Sequence, residues 1–177
     1  MIIQKHIEKQ VPQDYMFIEG TIDIDANYFI NKIKKGFLRE DNNNHHTNIK
    51  DRMTSWSYFN QDQKFLEILN KFIFYIDQNI SLPAYQLRES WGYNISTENQ
   101  TTEHDHRPHI WSGVLYLNKH NQTLDFREIS KKVKPEKGKF ALFSGFLKHQ
   151  SLTHYEKDSK WGISFNMGTS VTYENNR

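Results

Sequence analysis

Hydrophobic residues recur at spacings of three and four in the first half of the chain, which is the period of an amphipathic helix. The first such stripe predicts a short helix over 25–37, with Gly36 near its end, where a left-handed cap is common. The second stripe is stronger and predicts a helix that Asn60 caps, with Gln63 three residues later, and that Pro83 ends. The apolar face of this second helix comprises Phe65, Ile68, Leu69, Phe72, Ile73 and Ile76.

From Pro83 onward the hydrophobic period changes to two, in short runs separated by polar residues, glycine or proline. The clearest runs are YQLRESWGY, IWSGVLYL, KFALFSGF and WGISFNMGT. Two helices followed by roughly seven or eight strands predict a mainly β fold, closed as a sandwich, barrel or jelly roll, with the helices packed on one sheet. In the last run, alternation separates an apolar face from a polar face that carries Lys160, Gly162, Ser164 and Asn166.

Composition narrows the chemistry that the chain can perform. The 177 residues contain nine histidines and no cysteine, which excludes disulfides, thiolate metal sites and cysteine nucleophiles. No apolar run approaches the ~18 residues of a membrane span, and the opening residues lack the apolar stretch of a signal peptide, so we expect a cytoplasmic protein with no membrane partner. The net charge of +2 is spread along the chain, so a nucleic-acid partner is not indicated.

Five of the histidines fall in two short segments, TEHDHRPHIW and LKHQSLTHY. In an extended strand, residues two apart project to the same side, so His104 and His106 would direct their imidazoles to one point while Asp105 faces away. His149, on a later strand, can supply a third ligand. Imidazoles that leave coordination positions open suit iron, zinc, copper or nickel. The alternative is that the HxH pair occurs by chance in a histidine-rich loop and lies at the surface.

A lysine follows one strand after His149. Lys160 opens the last strand run on its polar face, where a fixed cation near a metal would attract a dianion. If it is buried, it needs a carboxylate partner, and a small dicarboxylate cosubstrate would provide one. The alternative is an ordinary surface lysine.

The remaining histidines have less defined roles. We expect His109 and His154 to support the ligands, to face a substrate or to lie at the surface. His45 and His46 fall in the polar loop 39–48 and are expected to be solvated.

Three segments together, HDHRPHIWSGVLYLN, PEKGKFALFSGFLKH and KWGISFNM, resemble the iron(II)/2-oxoglutarate-dependent oxygenases, in particular a prolyl-hydroxylase-like group found in bacteria and marine bacteriophages. The resemblance runs from about Trp91 to Met167, and NIKDRMTSW followed by a helix is similar to the N-terminal half of that group. It implies one domain over 1–177, with a double-stranded β-helix (jelly-roll) core over 83–170 and helical and strand support over 1–82. Residence would be in the bacterial cytoplasm, or in that of the host for a phage protein.

The resemblance also implies roles for individual residues. His104, His106 and His149 would hold Fe(II), and Lys160 would pair with the distal carboxylate of 2-oxoglutarate. Further contacts to this cosubstrate are expected from Tyr116 and Ser164, and framework roles from Trp111 and Asn166.

The chain departs from the common pattern of the superfamily at three positions. His106 stands where most members have the carboxylate of a two-histidine, one-carboxylate triad. Lys160 replaces the commoner arginine, which gives a point charge in place of a bidentate fork, and Gly162 stands where a small polar residue is usual. Asp105 is an alternative ligand if the strand is bulged there, because a bulge reverses parity.

The implied activity is hydroxylation of a C–H bond, with release of succinate and CO2. The substrate would be a prolyl or other amino-acid residue, or a small molecule, framed by Tyr85, Trp91, Tyr93, Trp111 and His109. Two alternatives stay open, namely a cupin-like metal enzyme that uses the same histidines without 2-oxoglutarate and a non-enzymatic jelly-roll binding module. The direction in which Lys160 points distinguishes the cupin-like enzyme from a 2-oxoglutarate-dependent one. The metal content of the protein distinguishes the binding module from both enzymes.

Overall fold

The computed structural model describes residues 14–39, 48–49, 51–79 and 85–169. His45, His46, Pro83 and the tail from Tyr173 lie outside these residues. The described helices are α1 (Ala26–Arg39) and α2 (Gln63–Asn79), and a 3-10 turn spans Arg127–Ile129. Neither described α-helix combines the length and apolar character needed to cross a membrane. The described strands are β1 (Phe17–Thr21), β2 (Arg52–Met53), β3 (Tyr85–Ile95), β4 (Thr101–His104), β5 (Trp111–Tyr116), β6 (Leu124–Phe126), β7 (Lys131–Val133), β8 (Lys139–Ser144), β9 (His149–Ser151) and β10 (Lys160–Thr169).

The strands form two antiparallel sheets, which confirms the prediction of a mainly β fold with two helices. The larger sheet has the order β1-β8-β5-β10-β3-β2, and the smaller has the order β4-β9-β6-β7. The four hydrophobic runs found in the sequence correspond to β3, β5, β8 and β10. The sequence did not predict β1, which pairs with β8 at the edge of the larger sheet.

Two hydrophobic clusters lie on opposite faces of the larger sheet. On one face α1 and α2 pack against the strands, and this cluster contains Phe29, Phe65 and Phe165. The other face packs against the smaller sheet through Phe126 and Phe143. Both helices therefore cover one side of the larger sheet, as predicted, and the space between the two sheets lies on the other side.

The alternation predicted for the last strand is confirmed. The residues with apolar side chains, Ile163, Phe165 and Met167, belong to the helix-side cluster. The polar side chains of the same strand face the space between the sheets, where Lys160, Ser164 and Asn166 line a cavity.

The start of α2 differs from the prediction. Asp62 caps this helix, because its Oδ1 accepts a hydrogen bond from the backbone N–H of Phe65 at 2.8 Å. Asn60, the expected cap, instead donates from its Nδ2 to the Arg88 carbonyl oxygen at 3.1 Å. This hydrogen bond connects the segment before α2 to β3.

Gly36 is likewise not a helix cap. It lies inside α1, and a Cβ at this position would come within 2.8 Å of side-chain atoms of both Thr54 and Tyr58. The glycine therefore allows a close approach between α1 and the segment that precedes α2. The helix itself begins after Asp25, whose carboxylate accepts from the backbone N–H of Tyr28 at 3.1 Å.

Candidate active site

A cavity of about 260 Å³ lies between the two sheets. Because side chains alternate along a strand, every second residue from Glu89 to Ile95 of β3 faces it, as do Lys160, Ser164 and Asn166 of β10. A register shift between Asn166 and Met167 puts Tyr85 and Leu87 on the helix side. Cross-strand pairing aligns Glu89 with Asn166, Trp91 with Ser164, Tyr93 with Gly162, and Ile95 with Lys160. The opposite wall comes from the smaller sheet and includes His104, His149 and Ser151.

Three histidines meet in this cavity. His104 ends β4 and is paired directly with His149, the first residue of β9. His106 lies two residues later, and its backbone N–H donates to the Gly145 carbonyl at 2.7 Å. One ring nitrogen of each histidine lies within 4.8 Å of the other two, and the Nε2 atoms of His106 and His149 are 3.3 Å apart. The structure thus brings together the three histidines selected from the sequence.

The hydrogen bonds of two rings fix which nitrogen faces the cluster. His104 Nδ1 lies 2.7 Å from the Thr102 carbonyl oxygen, and His149 Nδ1 lies 3.0 Å from the Leu147 carbonyl oxygen. A carbonyl oxygen can only accept, so in each neutral ring Nδ1 carries the proton and Nε2 presents a lone pair. A carbonyl on the far nitrogen is the usual support of a metal-binding imidazole.

Burial keeps these imidazoles neutral. It lowers the pKa of His106 to about 2, with smaller contributions from the neighbouring His149 and His104. Burial also lowers the pKa of His149 to about 3 and lowers the pKa of His104. Since neutral imidazole is the form that binds a metal ion, the cluster is ready to do so at neutral pH.

Asp105, the alternative ligand, also lines the cavity, but its carboxylate is paired with Arg107. Its Oδ2 accepts from Arg107 Nε at 3.0 Å and from Arg107 Nη2 at 2.5 Å, and these hydrogen bonds lower the pKa of the Asp105 carboxyl. The pairing between β4 and β9 is irregular, but the irregularity lies between Thr101 and His104. It therefore does not exchange the directions of Asp105 and His106.

Lys160 is a buried cation in the same cavity. It is 2% exposed, and its Nζ donates to Ser151 Oγ at 3.1 Å. Among the described residues, no carboxylate lies within 4.0 Å of this Nζ. Burial lowers the pKa of Lys160 to about 7, and the charge of Asp125 opposes this shift. Ser151 lies two residues from His149 along β9, about 7 Å, so the lysine is placed to receive an anion that also reaches the histidines.

Two tyrosines lie on either side of Gly162. Tyr93 and Tyr116 are its direct partners on β3 and β5. A Cβ at position 162 would lie 2.4 Å from the Tyr93 hydroxyl, so the glycine makes room for that group. Burial raises the pKa of both tyrosines, so their phenols keep their protons and can donate hydrogen bonds. Ser164 faces the same cavity.

The end of the cavity opposite Lys160 holds a polar chain that joins Asn166 and His109, which the sequence indicated, to Ser112 and Glu89, which it did not. Ser112 Oγ donates to Asn166 Oδ1 at 2.6 Å, and Asn166 Nδ2 donates to Glu89 Oε2 at 2.8 Å. His109 Nε2 lies 3.6 Å from the same carboxylate oxygen. Glu89, like Trp91 and Tyr93, occupies every second position of β3 and so shares their face. This shared parity is the sequence signal that could have identified Glu89 as a cavity residue.

Two aromatic residues expected on the substrate side lie elsewhere. Trp111 belongs to the helix-side cluster and is 2% exposed, because it pairs with Met167 of β10 and shares its face. Tyr85 also packs on the helix side, where its hydroxyl donates to Asp77 Oδ1 of α2 at 2.7 Å. Neither side chain lines the cavity, so the substrate-side expectation is not met for either residue, and the interior position of Trp111 is that of the framework residue it was also expected to be. Trp91, Tyr93 and His109 do line the cavity.

The other histidines in the described part of the chain form a separate pair. His154 is buried against His120, with ring centroids 4.5 Å apart, and neither residue lines the cavity. Burial lowers the pKa of His154. The surface position considered for His154 is therefore not found.

Comparison with solved structures identifies the class of fold. No family model and no curated protein matches the sequence. A Pseudomonas putida prolyl-4-hydroxylase matches with a TM-score of 0.68 and 16% identity, over 88% of this chain and 93% of that chain. The viral collagen prolyl hydroxylase of Paramecium bursaria Chlorella virus-1, solved with 2-oxoglutarate, matches with a TM-score of 0.65 and 16% identity, over 88% and 96%. HygX from Streptomyces hygroscopicus, solved with nickel and 2-oxoglutarate, matches with a TM-score of 0.61 and 11% identity, over 90% of this chain and 84% of that chain. The chain therefore has the fold of these proteins.

Proposed function

We propose that the protein is an Fe(II)- and 2-oxoglutarate-dependent dioxygenase that hydroxylates a C–H bond and releases succinate and CO2. One observation carries the proposal. A single cavity holds three neutral imidazoles together with a buried lysine that has no carboxylate within 4.0 Å among the described residues. The fold shared with solved structures that contain 2-oxoglutarate supports it. In this proposal the two sheets are the halves of a double-stranded β-helix.

His104, His106 and His149 would hold the iron through nitrogens that face one another. The 3.3 Å separation of two Nε2 atoms fits a bound cation, which would satisfy both lone pairs. When bound, iron and 2-oxoglutarate supply the oxidising chemistry, and the protein supplies orientation and an enclosed cavity. Three neutral ligands add no negative charge to the site, in contrast to a two-histidine, one-carboxylate set.

Lys160 would pair with the distal carboxylate of 2-oxoglutarate. A dicarboxylate that reached from the histidines to Lys160 would give this buried ammonium the anionic partner that the described residues do not provide. Ser151 holds the Nζ in place, and the protonated hydroxyls of Tyr93 and Tyr116, together with Ser164, offer hydrogen bonds from the larger sheet. The cupin-like alternative gives this lysine no such role.

The substrate would occupy the remaining part of the cavity, beside Trp91 and His109. The likeness of the fold to prolyl hydroxylases favours a prolyl or another amino-acid residue. Small molecules that carry similar groups are also compatible with the cavity.

An anaerobic titration tests this proposal. Fe(II) is added to the metal-free protein until one equivalent is bound, 2-oxoglutarate follows, and the visible charge-transfer band of the chelate is recorded. We expect the band only when both are present. Retention of iron without the band would favour the cupin-like enzyme. Failure to retain iron, nickel or zinc at stoichiometry would favour a binding module with incidental histidines.

A further inference from the structure

A carboxylate is held in a fixed position at the end of the cavity away from Lys160. Glu89 lies on β3 opposite Asn166, and both line the cavity. Because Ser112 Oγ donates to Asn166 Oδ1, the Nδ2 of Asn166 faces the Glu89 carboxylate and donates to it. The Glu89 side chain is 34% exposed, so it is accessible through the cavity while being braced from beneath.

Two indole rings line the same cavity as this carboxylate. Trp91 is two residues from Glu89 on the same face of β3. The ring of Trp56 packs edge-on against the ring of Trp91, with centroids 4.7 Å apart. Both line the cavity, with Trp56 39% exposed and Trp91 3% exposed. The Nε1 of Trp91 is buried and has no hydrogen-bond partner within the described part of the chain. Indole faces attract cations, and a buried indole N–H requires an acceptor.

Among the residues that the structure describes, no lysine or arginine forms an ion pair with Glu89. Arg107 lines the cavity, but it is already paired with Asp105 through Nε and Nη2. His109 Nε2 is 3.6 Å from Glu89 Oε2, which is too long for a hydrogen bond but within ion-pair distance when the imidazole is protonated. Lys160 lies six residues from Asn166 along β10, about 20 Å of strand. In the described part of the chain, the Glu89 carboxylate therefore has no lysine or arginine partner and only His109 within ion-pair distance.

We propose that Glu89 selects a substrate with a cationic nitrogen, an ammonium or a guanidinium, bound between its carboxylate and the indoles of Trp56 and Trp91. This inference rests on the proposed function and narrows its substrate to a basic amino-acid residue or to an amino acid with a free α-ammonium group. Glu89 acts as a specificity determinant and takes no part in the oxidation.

Three probes of similar shape separate these possibilities. Nα-acetyl-L-lysine methylamide carries only a side-chain ammonium, L-norleucine methylamide carries only an α-ammonium, and Nα-acetyl-L-norleucine methylamide is neutral. Binding is measured by calorimetry to the protein loaded with Ni(II) and 2-oxoglutarate, and again to the metal-free protein. We expect at least one cationic probe to bind about tenfold or more tightly than the neutral probe, since a charge-assisted hydrogen bond contributes that much. The tighter cationic probe identifies the source of the charge.

Glu89→Gln provides the decisive variant, because it removes the charge and keeps an amide oxygen for Asn166 Nδ2. We expect this variant to bind the cationic and neutral probes equally. Glu67→Gln, on the exposed face of α2, is the matched control and should keep the preference. Equal binding of the neutral probe by the unmodified protein, binding of none of the three probes, or a preference that survives in Glu89→Gln would each overturn the inference.

The two proposals fail in different ways. If the protein binds neither Ni(II) nor 2-oxoglutarate, but the metal-free protein shows a charge preference that Glu89→Gln removes, the cation site stands and the oxygenase assignment falls. If metal and 2-oxoglutarate bind and no charge preference appears, the oxygenase assignment stands and the role of Glu89 falls.

Discussion

The surroundings of His149 make it the most constrained of the three cavity histidines. It is 4% exposed and packs against the rings of Phe126 and Phe143, with centroids 5.3 Å and 4.8 Å away. Its Nδ1 faces the Leu147 carbonyl, which leaves Nε2 toward His106. The ring is therefore held in one orientation by packing and by one hydrogen bond, as a preorganised ligand requires.

Removal of this imidazole should abolish metal binding and leave the domain folded. In His149→Ala we expect the affinity for Fe(II) or Ni(II) to fall more than about 100-fold, together with loss of 2-oxoglutarate turnover. Bound metal is measured by elemental analysis after gel filtration, and folding by cooperative thermal unfolding. His154→Ala removes a buried histidine outside the cavity and should retain the metal. Unchanged succinate release in His149→Ala would refute the assignment.

Lys160 links cosubstrate affinity to pH. Because burial lowers its pKa to about 7, the free lysine loses its proton above that pH and must regain it to bind a carboxylate. The affinity of the wild-type protein for 2-oxoglutarate should therefore decrease above pH 7, by up to about tenfold per pH unit. In Lys160→Met we expect weak binding without this pH dependence, while the metal is still bound. Calorimetric titrations between pH 6.5 and 9 measure the 2-oxoglutarate affinity of both proteins. A wild-type affinity that stays constant to pH 9 would contradict the role of Lys160.

The same lysine should cost the metal-free protein stability. Between pH 7 and its ordinary pKa of 10.5, the unfolded chain binds more protons than the folded one, so the free energy of unfolding rises with pH in this window. At pH 7, Lys160→Met should be more stable than the wild type by about 1–4 kcal/mol. Thermal unfolding of both proteins without metal or cosubstrate tests this sign.

At the scale of elements, the sequence predicted which side chains share a face only in strands whose two faces differ in polarity. In β10, an apolar face alternates with a polar one, and this placed Lys160 on the polar face, which in the structure lines the cavity. In β5 every residue is buried, so hydrophobicity does not distinguish the faces, and Trp111 was assigned to the wrong one. The direct pairing of His104 with His149 depends on the register of two short strands, which no local pattern specifies.

Contact between α1 and the larger sheet depends on a glycine. A Cβ at Gly92 of β3 would lie 2.3 Å from the Ile33 side chain of α1 and 3.0 Å from Phe59. Gly92→Ala should therefore lower the free energy of unfolding by about 1–3 kcal/mol. Metal affinity should be unchanged, because Trp91 and Tyr93 face the cavity from the opposite side of the strand.

Gly168→Ala is the control for this substitution. For a Cβ at Gly168 of β10, the three nearest atoms all belong to the flexible side chain of Arg88, the first at 3.1 Å. Urea unfolding of both variants should show a clear loss for Gly92→Ala and a smaller change for Gly168→Ala. Equal losses in the two variants would contradict the packing argument.

At the scale of the whole molecule, the cavity is shared between the two sheets. The smaller sheet contributes His104 and His149, and the larger sheet contributes Lys160 and the residues that face it from β3. A ligand that contacts the histidines and Lys160 together therefore bridges the sheets. A metal ion held by the three histidines would also bind only the folded protein. At 100 times its Kd it should therefore raise the free energy of unfolding by about 2.7 kcal/mol.

Low pH should decrease the stability of the metal-free protein, because the histidines of the cavity must then bind protons. The pKa values of His106 and His149, about 2 and about 3, lie below the ordinary value of 6.5, so the unfolded chain binds more protons than the folded one below pH 6.5. The free energy of unfolding should then fall as the pH drops from 6.5 toward 3, by up to about 1.4 kcal/mol per pH unit for each histidine. The stabilisation by Ni(II) should disappear over the same range, because protons compete for the ligand nitrogens.

Thermal unfolding between pH 7.5 and 4, with and without Ni(II), measures both effects. His149→Ala should show a shallower dependence on pH and no shift with Ni(II), since it lacks one titrating ring and one ligand. The slope that disappears in this variant belongs to His149, and the slope that persists belongs to the other acid-sensitive groups. If His149→Ala loses the Ni(II) shift but keeps the full pH slope, the metal site stands and the acid sensitivity arises elsewhere in the protein. If it loses neither, His149 is not part of the metal site.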